Sequence, residues 1–215
     1  MDETYDFFYE NCGPVLKTVP VPDSMISKYE ERLPERLLKY WKEYGWAQYS
    51  CGFWTVNPDD YAEILKSCLS GTEYAGYDEY SVIARTSFGD LYVWGKRGGV
   101  AMQVSTPHAI LFPRHGDEKQ VAKGKADLCI SVFFELIEKK TCDFADENEK
   151  YLFDRAVKRL GSLDYDEMYG FVPALPLGGH AKLENLKRVK ALEHLIFLSQ
   201  LDTFKCMENP FISRS

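Results

Sequence analysis

The chain is short of the residues that catalysis needs. Its 215 residues include only four histidines, and His108 and His115, seven apart, lack the i, i+4 spacing that would set two imidazoles on one metal ion. There is no Gly-x-Ser-x-Gly elbow, no phosphate loop and no dinucleotide fingerprint. Without a Cys-x-x-Cys pair, structural zinc is not expected. Spacing leaves a Cys–His nucleophile open, since such partners need not be neighbours in sequence, with Cys51 and Cys142 as candidates. The reading is nonetheless no enzyme, no cofactor and no metal. Basic residues are also few: 26 Lys and Arg against 33 Asp and Glu leave a net charge of −7, the wrong sign for a general nucleic-acid binder. No stretch approaches the ~18 apolar residues of a membrane span. The N-terminus, Met1-Asp2-Glu3-Thr4-Tyr5-Asp6, is acidic where a secretory signal would be basic. A cytoplasmic protein without membrane contact is expected. Of the six cysteines (Cys12, Cys51, Cys68, Cys129, Cys142, Cys206) the nearest pair is 13 residues apart. In a reducing compartment they should be mostly free thiols, packed as small apolar side chains.

Apolar and aromatic surface is what the chain does have. Hydrophobic residues make up 45% and aromatics 14%, enough to exclude a disordered chain. Residues 2–11 read as a short helix, and Val19-Pro20-Val21-Pro22 as extended chain. Behind Pro34, the recurrence of Leu37, Tyr40, Trp41 and Tyr44 predicts a helix stopped by Gly45. Asn57 as N-cap, Pro58 at N1 and Asp59 and Asp60 in the first turn predict another, buried along Tyr61, Ile64, Leu65, Cys68 and Leu69. The period then changes. Residues 80–86, 91–94 and 100–105 read as strands joined by Gly-containing turns, with a fourth at 108–112. These strands are apolar on both alternations in places, so helices must cover at least one face. Past Pro113-Arg114-His115-Gly116 the chain turns helical at 126–138, 147–160 and 182–201, with 163–179 irregular or a short strand. The fold class is α+β: an antiparallel meander covered by helices, then a mainly helical C-terminal subdomain packed against it, divided as 1–112 and 113–215.

Carboxylates gather in two places. Asp143, Asp146, Glu147 and Glu149 precede or open the 147–160 helix, where they complement the positive helix end. Asp164, Asp166 and Glu167 are interleaved with Tyr165, Met168 and Tyr169. Tyrosine brings contact area at low entropy cost, so this segment is either a protein interface or a solvated loop with buried rings. Lys182, Lys187, Arg188 and Lys190 share the 182–201 helix with Glu184 and Glu193 and read as a solvated face. His180, after Gly178-Gly179 at the start of that helix, could face an anion there but reads rather as a loop histidine, and His194 within the helix reads as structural.

Asp166-Glu167-Met168-Tyr169-Gly170-Phe171-Val172-Pro173, continued through Gly178-Gly179, then Leu183 to Lys190 and Glu193-His194-Leu195, resembles the C-terminal domain of type VI secretion DNase immunity proteins. Leu33-Pro34-Glu35-Arg36-Leu37-Leu38, Trp41 through Gly45 and Gly52-Phe53-Trp54-Thr55-Val56-Asn57-Pro58 resemble the GAD-like domain that precedes it in that family. The resemblance covers about residues 20–201. It implies an antitoxin that binds and blocks a cognate nuclease effector, a basic protein partner, with the chain itself a monomer or weak homo-oligomer. The alternative is a non-catalytic ligand- or protein-binding module of the same fold. An acidic inhibitor suits a nuclease that presents basic surface to DNA. The expected toxin-facing residues are Asp164, Tyr165, Asp166, Glu167 and Tyr169, with Asp143, Asp146 and Glu147 second. Gly178 and Gly179 would allow a tight entry to the last helix.

Overall fold

Alternation along the central strands decides the architecture. In β5 (Asp90–Gly95), Leu91 and Val93 join one hydrophobic core while Tyr92 and Trp94 join another. A strand that is apolar on both sides must be covered on both sides, and here it is. The computed structural model describes residues 3–207. In it β5 pairs antiparallel with β4 (Tyr80–Thr86) and β6 (Gly99–Ser105). The sheet extends past β4 through β3 (Phe53–Thr55), β2 (Trp46–Tyr49) and β1 (Val15–Val19), and past β6 through β7 (Ile110–Pro113). All these pairs are antiparallel; a last edge strand, β10 (Lys205–Cys206), runs parallel to β7. The β4–β5 turn needs glycine at position 89, where φ is +94° and a Cβ would sit 2.7 Å from Met168 Cε.

One face of the sheet is covered by α1 (Glu3–Cys12), α2 (Asp23–Tyr29), α3 (Glu35–Tyr44) and α6 (Ala126–Glu135), packed over Phe53, Ile83, Tyr92 and Trp94. The other is covered by α4 (Pro58–Leu69), α8 (Phe153–Leu160), α9 (Ala191–Ser199) and a separate hairpin of β8 (Glu167–Phe171) with β9 (Leu186–Lys190). Two short helices, α5 (Glu118–Val121) and α7 (Lys139–Cys142), complete the order. Each layer draws on both halves of the sequence, since α6 lies with α1 and α3, and α4 lies with α8 and α9. The α4 signals act as expected: the Asn57 side chain accepts from the Asp59 N–H at 3.2 Å behind Pro58.

Several expectations fail, each for a local reason. The 147–160 helix is only Phe153–Leu160, because Asp146 folds the preceding segment into a turn by accepting from the Asn148 and Lys150 N–H groups, and Glu149 is left-handed at φ +59°. The 182–201 helix survives only as α9. Its first half is β9, drawn into register with β8 from Glu167↔Lys190 to Phe171↔Leu186. Pairing overrides the helical preference of this Leu/Lys-rich stretch. Lys182, Lys187, Arg188 and Lys190 therefore share no helix, and Ile196, which the apolar spacing of 183–196 puts on the buried side, is exposed. Gly178 and Gly179 close the 3₁₀ turn Leu175–Leu177 rather than entering α9, with the Gly179 N–H donating to the Ala174 carbonyl. The cysteines are not all free. Cys12 at the end of α1 and Cys51 in the β2–β3 turn form a disulfide, on backbones already joined by the Cys51 N–H to Cys12 carbonyl bond at 2.8 Å. The expected helix start at Asp2 lies outside the described residues.

Candidate protein-binding surface

The acidic hairpin is fastened to the sheet by a buried cation. Arg85 on β4 is 1% exposed, and its guanidinium lies 4.4 Å from the Trp54 ring centroid. Its Nη2 donates to the carbonyls of Tyr165 at 2.8 Å and Glu167 at 3.0 Å, and its Nη1 to that of Thr86 at 3.3 Å. The Tyr169 N–H donates to the Ser87 carbonyl at 2.8 Å, its hydroxyl to the Gly161 carbonyl at 2.6 Å, and the Tyr165 hydroxyl to the Thr55 carbonyl at 3.4 Å. The two tyrosines of the expected interface thus point into the molecule. Sequence reasoning missed Arg85, although a charged residue following the apolar run Val82-Ile83-Ala84 inside a strand was the available signal.

The outer carboxylates of this segment have cations of their own. Asp164 pairs with Lys17 of β1 and lies 3.6 Å from Arg188; Glu167 meets Arg188 at 2.5 Å and Asp166 meets Lys190 at 2.5 Å. The Lys17 hydrogen bond holds the Asp164 carboxyl below its ordinary value. Desolvation works against the Glu167 charge, but the Asp164 N–H and Arg188 outweigh it and hold that carboxyl low too. Arg188 and Lys190 are held up by Glu167 and Asp166 in turn. What read as an acidic surface is a charge-balanced lattice, in which Asp164 and Asp166 still expose 59% and 60% of their side chains.

The second cluster is mostly structural. Asp143 Oδ1 accepts from the N–H groups of Phe144, Leu152 and Phe153 at 2.7–3.1 Å, and so caps α8 from ten residues upstream. Burial nonetheless pushes its carboxyl up. Asp146 is buried against Arg155 at 2.5 Å, which holds it low. Glu147 meets His180 Nδ1 at 2.6 Å and Lys182 Nζ at 3.2 Å, and both hold it low, His180 the more. Glu149 is exposed. α8 ties the two clusters together: Arg155 reaches back to Asp146, and Arg159 reaches Glu184, just before β9, at 3.9 Å.

The candidate nucleophiles are disarmed. Cys51 is in the disulfide, and burial pushes the Cys142 thiol up to about 12, leaving it protonated at neutral pH. His108 stacks on Phe144 and His194 lies beside Phe197, both lowered by burial. Among the described residues no helix is long and apolar enough to cross a membrane.

The fold is a double-faced antiparallel sheet with an ion-paired hairpin on one layer, and two segments of the chain match known families. Residues 3–108 match the GAD-like domain, and residues 128–202 match the C-terminal domain of the type VI secretion system (T6SS) immunity protein Tdi1. The two matches follow one another along most of the chain, and the second makes this region similar to type VI secretion immunity proteins. It is similar in fold to the crystal structure of Atu4351 from Agrobacterium tumefaciens, with a TM-score of 0.84 and 22% identity over 96% of this chain and 93% of that one. No curated protein matches its sequence.

Proposed function

We propose that this protein neutralises a DNase effector of type VI secretion by binding it stoichiometrically in the cytoplasm, without catalysis of its own. The observation that carries the reading is the match of residues 128–202 to an immunity-protein domain. The net charge of −7 supports a basic partner such as a nuclease. The division at 112/113 is proposed as a division of sequence modules, whose helices interleave across the sheet.

The proposed contact surface is the outer edge of the β8–β9 hairpin with the neighbouring 143–149 loop. Of the eight residues expected from sequence, Asp164, Asp166 and Glu147 offer partly exposed carboxylates, Glu167 is mostly covered against Arg188, and Tyr169, Asp146, Asp143 and Tyr165 support them from within. A basic partner would exchange its own cations for Lys17, Lys190 and Lys182 at the rim. Co-expression with a type VI secretion nuclease, the first to try being any encoded next to its gene, should protect cells, and the two proteins should co-elute on gel filtration. Unchanged killing with no complex would sink the reading. In a complex that forms, the double substitution Asp164→Lys with Asp166→Lys should weaken binding about tenfold, and full retained affinity would remove this surface.

A further inference from the structure

A cleft of about 510 Å³ opens between the end of α2, the length of α4, the 70–78 loop and the start of β4. That is the size of an ordinary small-molecule site. Its floor is apolar, made by Leu65, Leu69 and Val82, and Tyr29 and Tyr80 form part of its walls. Four charged residues line it: Arg32, Lys66, Asp59 and Asp78. Their charges are not equally available.

Both carboxylates are already engaged by the protein. Asp59 accepts from Lys28 Nζ at 2.6 and 2.7 Å and from the Tyr29 hydroxyl at 2.7 Å. Desolvation disfavours its charge, yet those bonds hold the carboxyl low, so it stays ionised and occupied. Asp78 has a side chain only 3% exposed, spent on the N–H groups of Arg97 and Gly98 in the β5–β6 turn. The cations are less committed. Arg32 lies over the Tyr29 ring at 5.3 Å, and its ion pair with Glu79 stops at 3.6 Å, too long for a hydrogen bond. Glu79 is shared with Lys96 at 3.2 Å, and Arg32 Nε is buried without an acceptor. Lys66 is exposed and has no ion pair among the described residues. The Arg32 side chain as a whole is still 31% exposed, which leaves its charge within reach of an oxyanion in the cleft.

We propose that this cleft binds a small organic anion, with a phosphate or carboxylate group held by Arg32 and Lys66 and a flat apolar body laid between the tyrosines and the Leu65–Leu69 floor. The site is separate from the surface the immunity reading uses: none of its lining residues belongs to the β8–β9 hairpin or the 143–149 loop. The proposal therefore stands or falls apart from effector binding.

The test is calorimetric titration of the full chain with adenosine monophosphate, with 4-hydroxybenzoate and with inorganic phosphate, alongside the variants Arg32→Gln and Lys66→Gln. At least one organic anion should bind more tightly than inorganic phosphate, and each substitution should weaken it about tenfold. The two organic probes separate a phosphate-bearing ligand from a carboxylate-bearing one. Because Arg32 also packs on Tyr29, thermal unfolding of the unliganded variants and the surface-only Lys66→Gln keep lost binding distinct from lost folding. Three results would each overturn the proposal: no binding of either organic anion at millimolar concentration, equal binding of phosphate alone, or undiminished binding by folded Lys66→Gln and Arg32→Gln.

Discussion

Replacing Arg85 with methionine is the sharpest test of how the hairpin is held. Methionine keeps most of the apolar stem, so the substitution isolates the guanidinium. That group supplies three hydrogen bonds to backbone carbonyls, at 2.8, 3.0 and 3.3 Å. A bond from a charged donor is worth about 1.5–3 kcal/mol, and a carbonyl left buried and unpaired costs about 1–3 kcal/mol. The sum is reduced because burying a guanidinium that has no carboxylate partner is itself expensive, and its Nε already lacks an acceptor. A net loss of about 3–5 kcal/mol remains. For a chain of this length that lowers Tm by roughly 6–20 °C. Differential scanning calorimetry measures the shift. Limited chymotrypsin digestion should show the local consequence, since the released strand start carries Tyr165 and Tyr169. Arg85→Lys, which keeps one charge but not the fork, should fall between methionine and the parent. An Arg85→Met protein that unfolds at the parent temperature and resists cleavage at 165–169 would refute the anchoring role.

Three further outcomes rest on a buried carboxylate, a covalent tie and a helix cap. Burial raises the Asp90 carboxyl to about 6, against weaker lowering by Ser105 and Gln103. The folded state then binds a proton more tightly than the unfolded one, so the destabilisation is absent below about pH 4 and grows up to about pH 6. Asp90→Asn should therefore raise the unfolding free energy from urea melts at pH 7 by at most about 3 kcal/mol, and leave it near parental at pH 4; equal effects at both would contradict the assignment. The Cys12–Cys51 bond closes a 39-residue separation, so in the chain-entropy picture its reduction should cost about 4 kcal/mol. An unchanged Tm in excess dithiol would count against it. Effector binding, finally, should survive Asp143→Ala less well than its exposure suggests. Loss of the α8 cap costs about 1 kcal/mol and loosens Arg155 and Arg159 together, whereas undisturbed affinity and stability would show that the cap is redundant.

The meander and its cover were legible because their signals are local. Asn57-Pro58-Asp59-Asp60 starts α4 where those residues say it should, and the glycine turns space β4, β5 and β6 as expected. β9 was not legible. Leu183, Leu186, Val189 and Leu192 recur at threes, which is helical spacing, and what makes a strand of their centre is β8, a partner some twenty residues upstream. The same distance hides the chemistry of the candidate surface. A window around residue 166 contains carboxylates and tyrosines but not Lys17, which is 147 residues from Asp164, nor Arg85, which is about 80 from the carbonyls it holds.

That concealment changes what the net charge can mean. Asp164, Asp166 and Glu167 face Lys17, Arg188 and Lys190, so the hairpin contributes almost nothing to the −7 of the chain. The field that would draw in a basic partner from a distance must arise from carboxylates spread over the rest of the surface, and it would act mainly on the rate of encounter. The hairpin would act at contact, where a fixed array of paired charges offers geometry rather than excess charge. Arg85 is then the residue on which that geometry depends, although it lies beneath the surface: it sets where the strand begins, and the strand sets the positions of the carboxylates.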